Sequence, residues 1–169
     1  MPSILEQDGR ITAWIQQVVI PYPWRVRTAL LLAHSGDSIL CYLILILIAA
    51  FGETTWRVTA IRLLIIMTIN AFPIVLIKYS VRRERPLSEY GGLYRKSDPH
   101  SFPSGHAART FLIAIVLQLT TSTAIGIAAL LWASLVTLAR VGLGLHHASD
   151  AVGGILLGAS IAVAGVLLI

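Results

Sequence analysis

Residues 124–169 read AIGIAALLWASLVTLARVGLGLHHASDAVGGILLGASIAVAGVLLI. Two apolar runs, from about Ala124 to Leu143 and from Ala148 to Ile169, flank a short turn. Each is close to the ~20 residues that an α-helix needs to cross a ~30 Å hydrocarbon layer. Arg140 and Asp150 are the only charged residues of the stretch, and His146 and His147 lie between them. The stretch therefore reads as a helical hairpin with its ionisable groups gathered at the turn. Such groups are costly at membrane depth and mark a functional site by default. Gly153, Gly154 and Gly158 let another helix approach the second arm closely.

The rest of the chain agrees with a membrane reading. Of its 169 residues, 56% are hydrophobic and 12% charged, against about 25% charged in a soluble domain. Mean hydropathy is +0.80. The length fits one domain, residues 1–169. The net charge of +5 is concentrated between Lys78 and Lys96. That basic segment lies between apolar spans, which argues against nucleic acid as a partner. Cys41 is the single cysteine, so an internal disulfide is excluded, and it reads as a small packing residue. Glu6 and Asp8 stand where a cleavable leader would carry a basic region, so the first span is expected to serve as the insertion signal.

Working toward the N-terminus, the spans fall in order. Ile11, Trp14, Ile15, Val18 and Val19 share one face and predict a short interfacial helix over 11–19, ended by Pro21 and Pro23. The first span, Ala29–Phe51, is interrupted at His34-Ser35-Gly36-Asp37. The favoured reading is a short helix followed by a span from Ser38, with Ser35 or Asp37 as N-cap. The second span covers about Val58–Ile77, with a kink at Pro73 and Asn70 facing protein. Residues 78–103 are the long polar segment. The third span covers Ser104–Leu119, and the two arms of the hairpin are the fourth and fifth. Trp24 and Trp56 suit the interface. The expected fold is all-α: an integral membrane bundle of about five transmembrane helices plus the N-terminal interfacial helix. Five spans put segment 78–103 and the 143–147 turn on one membrane face.

Three clusters meet on that face. Lys78, Arg85 and Arg140 repel one another unless an anion neutralises them. Arginine's planar fork and lysine's point charge suit phosphate oxygens. Arg82, Arg83, Arg95 and Lys96 read more simply as a solvated basic loop. Pro103-Ser104-Gly105-His106 opens a helix. The backbone N–H groups of Ser104, Gly105 and His106 there offer an anion site, and Gly105 lets the backbone come close. An ordinary Ser104 N-cap is the plainer reading of that motif alone. His146 and Asp150 are four residues apart on one helix face. A carboxylate bonded to one imidazole nitrogen leaves the other to attack, which makes His146 a nucleophile candidate, with His106 as acid to the leaving oxygen. A metal set drawn from His100, His106, His146, His147, Asp98 and Asp150 is disfavoured, because three cations nearby oppose it; no metal or cofactor is expected.

These motifs, Lys78-x6-Arg85-Pro86, Pro103-Ser104-Gly105-His106 and Arg140-x5-His146-x3-Asp150, resemble those of the type 2 phosphatidic acid phosphatase (PAP2) superfamily of membrane lipid phosphatases. All three occur in order, from Lys78 to Asp150. One departure is Ala139, where the family carries serine before the arginine; that position is peripheral to acid–base work. The resemblance implies metal-independent hydrolysis. Lys78, Arg85, Ser104, Gly105 and Arg140 would hold phosphate, His146 would be the nucleophile, His106 the acid and Asp150 the orienting group. The order of the two histidines rests on the resemblance more than on spacing. His147 reads as a lining residue and His34 and Asp37 as helix caps, while Tyr90, Tyr94 and His100 are candidates for substrate contact.

A face-exposed site in a chain with little outside the bilayer favours a lipid phosphate as partner. Family members act on undecaprenyl diphosphate, phosphatidylglycerol phosphate, phosphatidic acid or lipid A phosphates, and a polyprenyl diphosphate is the first choice. The expected location is a bacterial inner membrane. Arg10, Arg25, Arg27, Arg82, Arg83, Arg95 and Lys96 flank the active face, against Arg57 and Arg62 opposite. The positive-inside count thus favours the cytoplasm, while the resemblance favours the outer face, which is the expectation taken. Two rival classes are a lipid phosphotransferase using the same phosphohistidine and a non-catalytic lipid-binding protein. The intact His106, His146 and Asp150 weigh against the second.

Overall fold

The computed structural model describes residues 3–91 and 98–169, and Tyr94, Arg95 and Lys96 lie outside them. Seven α-helices occur among the described residues: α1 Ile4–Val19, α2 Pro23–Ser35, α3 Ser38–Phe51, α4 Thr54–Val81, α5 Gly105–Thr120, α6 Thr123–Gly142 and α7 Ala148–Leu168. The chain is all-helical, with a 3-10 turn at Glu89–Gly91 and an isolated antiparallel bridge between Glu84 and His100.

The interfacial helix starts earlier than 11–19. Ser3 and Glu6 form a capping box, with Glu6 N–H donating to Ser3 Oγ (3.3 Å) and Ser3 N–H to Glu6 Oε2 (2.8 Å). The added turns carry Asp8, which is buried together with Thr12 one turn on. This polar pair faces α6 and α7, and Leu5, Ile11 and Trp14 lie exposed.

The polar break at residues 34–37 is present, with α2 and α3 bent by 52° across it. Asp37 occupies the N-cap position of α3, but its side chain makes no capping bond. The carboxylate is drawn to the imidazoles of His34 and His106 instead. Helix α4 runs through Pro73 without interruption and carries Lys78 in its last turn. It ends at Arg82, whose left-handed conformation (φ 51°) turns the chain out of the helix.

At the centre, α5 packs on α4, α6 and α7. Ala107, Ala108, Leu112, Ala114 and Val116 of α5 are fully buried. The glycines of α7 allow this: a Cβ at Gly154 or Gly158 would collide with the Ser104 or Ala108 carbonyl.

By length and composition α4, α6 and α7 can each cross a membrane, and the bent α2–α3 pair is long and apolar enough only when its two helices are taken together. At 16 residues, α5 is shorter than a full span. Length and composition thus give three clear spans, or four with the bent pair, fewer than the expected five. The last turn of α4, the head of α5, the end of α6 and the head of α7 come together at one end of the bundle, closed over by residues 82–91 and 98–104.

Candidate active site

Lys78, Arg85 and Arg140 are all buried, and Arg140 is only 1% exposed. Lys78 Nζ donates to both oxygens of Asp98 (2.9 and 2.7 Å) and to the His100 carbonyl (2.8 Å). Arg85 Nη2 reaches the same carboxylate at 2.8 Å, and its Nε donates to the Asp98 carbonyl at 2.7 Å. Asp98 thus stands as an internal anion between two cations of the expected phosphate set. Arg85 Nη1 donates to the Leu145 carbonyl (2.7 Å) and lies 3.2 Å from His146 Nε2. The charge of Arg140 acts on both His106 and His146.

His146 lies in the turn between α6 and α7 and is 1% exposed. Its Nδ1 lies 2.9 Å from the Ser101 carbonyl, so that nitrogen carries the proton and Nε2 carries the lone pair. The nearest Asp150 oxygen is 3.7 Å from Nδ1, beyond hydrogen-bond range. The expectation that Asp150 holds the imidazole by a hydrogen bond is therefore corrected. Ser101 does so, because the carbonyl lies closer to Nδ1 than the carboxylate does. Burial, with the Arg85 and Arg140 charges, pushes the His146 pKa down to about 3, and Asp150 opposes the shift. The imidazole is neutral at ordinary pH.

Asp150 is completely buried. Its Oδ2 accepts from His147 N–H (2.8 Å) and lies 3.3 Å from His147 Nδ1, a capping box at the head of α7. His147 is thus a cap. The other oxygen, Oδ1, accepts from Arg83 Nη1 at 2.8 Å. Arg83 also donates to Ser149 Oγ (2.6 Å) and Asp8 Oδ2 (2.5 Å). Asp8 accepts in addition from Ser149 N–H (2.9 Å) and Oγ–H (2.6 Å). Arg83 therefore departs from the solvated-loop reading, because three polar partners from α1 and α7 enclose its guanidinium. Burial alone would raise the Asp8 pKa, but Ser149 and Arg83 outweigh it and hold the carboxyl below its usual value.

On α5, Ser104 accepts at Oγ from Ala107 N–H (3.4 Å), so the plainer N-cap reading also holds. The Ser104 N–H donates to the Asp150 carbonyl at 2.9 Å. It is not directed at a ligand, because α7 packs against the head of α5; Gly105 lines the open cavity next to it. His106 Nε2 lies 2.7 Å from Asp37 Oδ1, and Asp37 Oδ2 lies 2.9 Å from His34 Nδ1. Among the other candidates, His100 packs edge-on to Tyr79. Tyr90 packs beside the Val26–Ala29–Ala33 cluster. Ala139 is buried in that cluster, where a serine hydroxyl would need a partner. Among the described residues no three His, Cys, Asp or Glu side chains meet as a metal-ligand set.

Two histidines, three buried cations and the carboxylates of Asp37, Asp98 and Asp150 thus converge where the three motifs meet, and residues 59–169 match the PAP2 superfamily. The chain belongs to the PAP2 superfamily. Phosphatases of this family are hydrolases acting on phosphate esters. Among PAP2 relatives, the decaprenylphosphoryl-5-phosphoribose phosphatase of Mycobacterium tuberculosis is 29% identical over 154 residues, covering 87% of this chain and 82% of that one. The PAP2-type phosphatidylglycerolphosphate phosphatase of Bacillus subtilis superposes with a TM-score of 0.80 at 25% identity, over 98% of this chain and 85% of that one. LpxE of Aquifex aeolicus superposes at 0.79 and 22% identity, over 94% and 93%; it supports the fold. These PAP2 neighbours and the apolar helices make the chain an integral membrane protein.

Proposed function

We propose that this PAP2 protein removes a terminal phosphate from a membrane lipid, a polyprenyl diphosphate being the favoured substrate, through a phosphohistidine on His146. The observation that carries the reading is the orientation of His146: Nδ1 is committed to Ser101, and Nε2 is aimed at Arg85 within the cation cluster.

Lys78, Arg85 and Arg140 take the phosphate oxygens, and the substrate displaces Asp98 from the first two. Nε2 of His146 attacks phosphorus, and the bond to the leaving oxygen breaks. His106 gives that oxygen a proton, with Asp37 stabilising its imidazolium. The phosphorylated imidazole keeps its Nδ1 proton and so becomes cationic. Asp150, 3.7 Å away, neutralises it. A water that loses its proton to His106 then attacks phosphorus from the other side, freeing phosphate and restoring His146. These steps need no metal. Burial and the neighbouring Arg85 and Arg140 charges favour the neutral His146 imidazole, the form that can attack phosphorus.

The same reading takes 1–169 as one membrane-embedded domain with five spans: the bent α2–α3 pair, α4, a short α5, α6 and α7. It assigns the active end to the outer face of a bacterial inner membrane. The C-terminus then lies in the cytoplasm, and a fluorescent reporter fused after Ile169 would be active there. The function is tested by phosphate release from a panel of lipid phosphates in the presence of chelator. Activity is expected to vanish in His146→Ala. Activity that survives that change sinks the phosphohistidine, and strict dependence on added divalent metal sinks the metal-free route. Transfer to an acceptor lipid without free phosphate would make the protein a phosphotransferase.

A further inference from the structure

The active end opens into a cavity of about 370 Å³ that runs from Lys78 and His106 down between α3, α4 and α5. Its deeper wall holds Tyr42, Asn70 and Arg109, none of which belongs to the phosphate set above. Polar groups at this depth call for a partner. Asn70 is 2% exposed. Its Oδ1 is enclosed without a hydrogen-bond partner among the described residues. Leaving such an atom unmet costs about 1–3 kcal/mol. Exchange of its two ends lets a carboxamide present either an acceptor or an N–H donor to a ligand.

Arg109 lies on the same face of α5 as His106, three residues and about 4.5 Å deeper along the axis. Its Nε and Nη2 donate to the Gly36 carbonyl at 3.1 and 2.8 Å, tying the α2–α3 break to α5. A guanidinium has five N–H donors; this tie uses two of them, and the Cys41 side chain engages another. The nearby Asp37 carboxylate is already engaged by His34 and His106. A cation and an unmet amide therefore line the path by which a lipid tail would leave the phosphate site for the bilayer.

We infer that this wall is a second phosphate subsite that selects lipid diphosphates. The inference rests on the phosphatase reading and deepens it. The terminal phosphate sits among Lys78, Arg85 and Arg140, and the phosphate joined to the lipid chain lies against Arg109 and Asn70. When His146 Nε2 bonds to the terminal phosphorus, the bridging P–O bond breaks, its electron pair goes to the bridging oxygen, and that oxygen takes the His106 proton. The departing lipid monophosphate keeps its remaining negative charge beside Arg109, which stabilises it. A single helical turn between His106 and Arg109 suits two directly joined phosphates. An intervening sugar would carry the second phosphorus past the guanidinium.

The test compares kcat/KM for a prenyl diphosphate, the prenyl monophosphate of the same chain length and phosphatidic acid, all in one detergent. Wild type is expected to prefer the diphosphate. Arg109→Gln should lower the diphosphate-to-monoester ratio about tenfold, the equivalent of one charged hydrogen bond. Asn70→Leu should lower it in the same direction, and Arg109→Lys should recover part of it. Equal losses on all substrates would reduce Arg109 to a tie for Gly36 and overturn the subsite. The Asn70 variant keeps the question open to measurement if Arg109→Gln fails to fold. Wild-type protein that hydrolyses none of the lipids would instead overturn the phosphatase reading itself. A wild type equally active on monoesters and diphosphates overturns only the subsite.

Discussion

Asp37 Oδ1 lies 2.7 Å from His106 Nε2, although the two residues are 69 positions apart and on different helices. The bend between α2 and α3 brings this contact about, because it exposes the carboxylate toward α5 instead of spending it on the α3 N-cap. A carboxylate on one imidazole nitrogen stabilises the protonated ring and leaves the other nitrogen to serve the leaving group.

Asp37→Asn should therefore slow the proton-dependent step. We expect kcat to fall about 10²-fold on alkyl phosphates, within the range general acid catalysis contributes, with a smaller change in KM. The alkaline limb of the kcat profile should move to lower pH, because the imidazolium loses its partner. An aryl phosphate, whose leaving group needs little protonation, should lose much less. Equal losses on alkyl and aryl substrates would mean that Asp37 only holds the bend.

Asp98 bridges Lys78 and Arg85, two of the cations proposed to take phosphate. Asp98→Asn removes a charge that competes with substrate. The inhibition constant of inorganic phosphate should fall several-fold, as should KM, since a charge-assisted contact contributes about twice a neutral one. The backbone bond from Arg85 Nε to the Asp98 carbonyl remains. A rise in the phosphate inhibition constant would show that the carboxylate is needed to hold the cations in place.

The parts of the site that are legible in the sequence are those tied to short spacings at helix ends. Lys78 lies in the last turn of α4, His106 in the first turn of α5, Arg140 near the end of α6 and Asp150 in the first turn of α7, so helix boundaries alone bring them to one end of the bundle. The supporting contacts are a different matter. Asp8 meets Ser149, and Arg83 meets Asp150, across 141 and 67 positions. No periodicity links such pairs, and Arg83 sits in a basic run that reads equally well as a solvated loop. The hydrogen bond from His146 to the Ser101 carbonyl is invisible for a further reason, since any residue type offers a backbone carbonyl. Asp37 did leave a trace: a carboxylate inside an apolar stretch, whose cost asks for more than a cap.

The Asp8–Arg83–Asp150 chain couples the interfacial helix to the site. Asp8→Ala removes one of the two carboxylates that hold Arg83, which keeps Asp150, at a cost of about 1.5–3 kcal/mol for the lost charged hydrogen bonds. The Tm in detergent should drop, and activity should fall because Arg83 loses the anchor that aims it at Asp150. The pH dependence follows from the lowered Asp8 pKa. A carboxyl held below its ordinary value stabilises the fold above that value, about 3.9, and loses the contribution as pH falls through the lower, folded-state value. The Tm gap between wild type and Asp8→Asn should therefore be full near neutrality and shrink below about pH 4. A gap independent of pH would remove the ion pair as its source.

Two glycines separate close packing from helix propensity. At Gly158 a Cβ would run into the Ala108 carbonyl and Cα of α5, backbone atoms that cannot move aside as a side chain can. Gly158→Ala should therefore push α7 away from the head of α5, at a cost of about 1–3 kcal/mol for overpacking. The shift would be felt at the active end, because the Ser104 N–H to Asp150 carbonyl bond spans the same two helices. Gly9 in α1 is exposed and has nothing within 4 Å of a built Cβ. Gly9→Ala should stabilise by up to about 1 kcal/mol through helix propensity alone. Thermal unfolding in detergent with parallel phosphate-release assays checks both. Gly158→Ala should lower Tm and activity together, and Gly9→Ala should raise Tm with activity retained. A neutral Gly158→Ala would mean that α5 and α7 can separate without cost, and the tight α5–α7 seam would no longer account for how Asp150 is held.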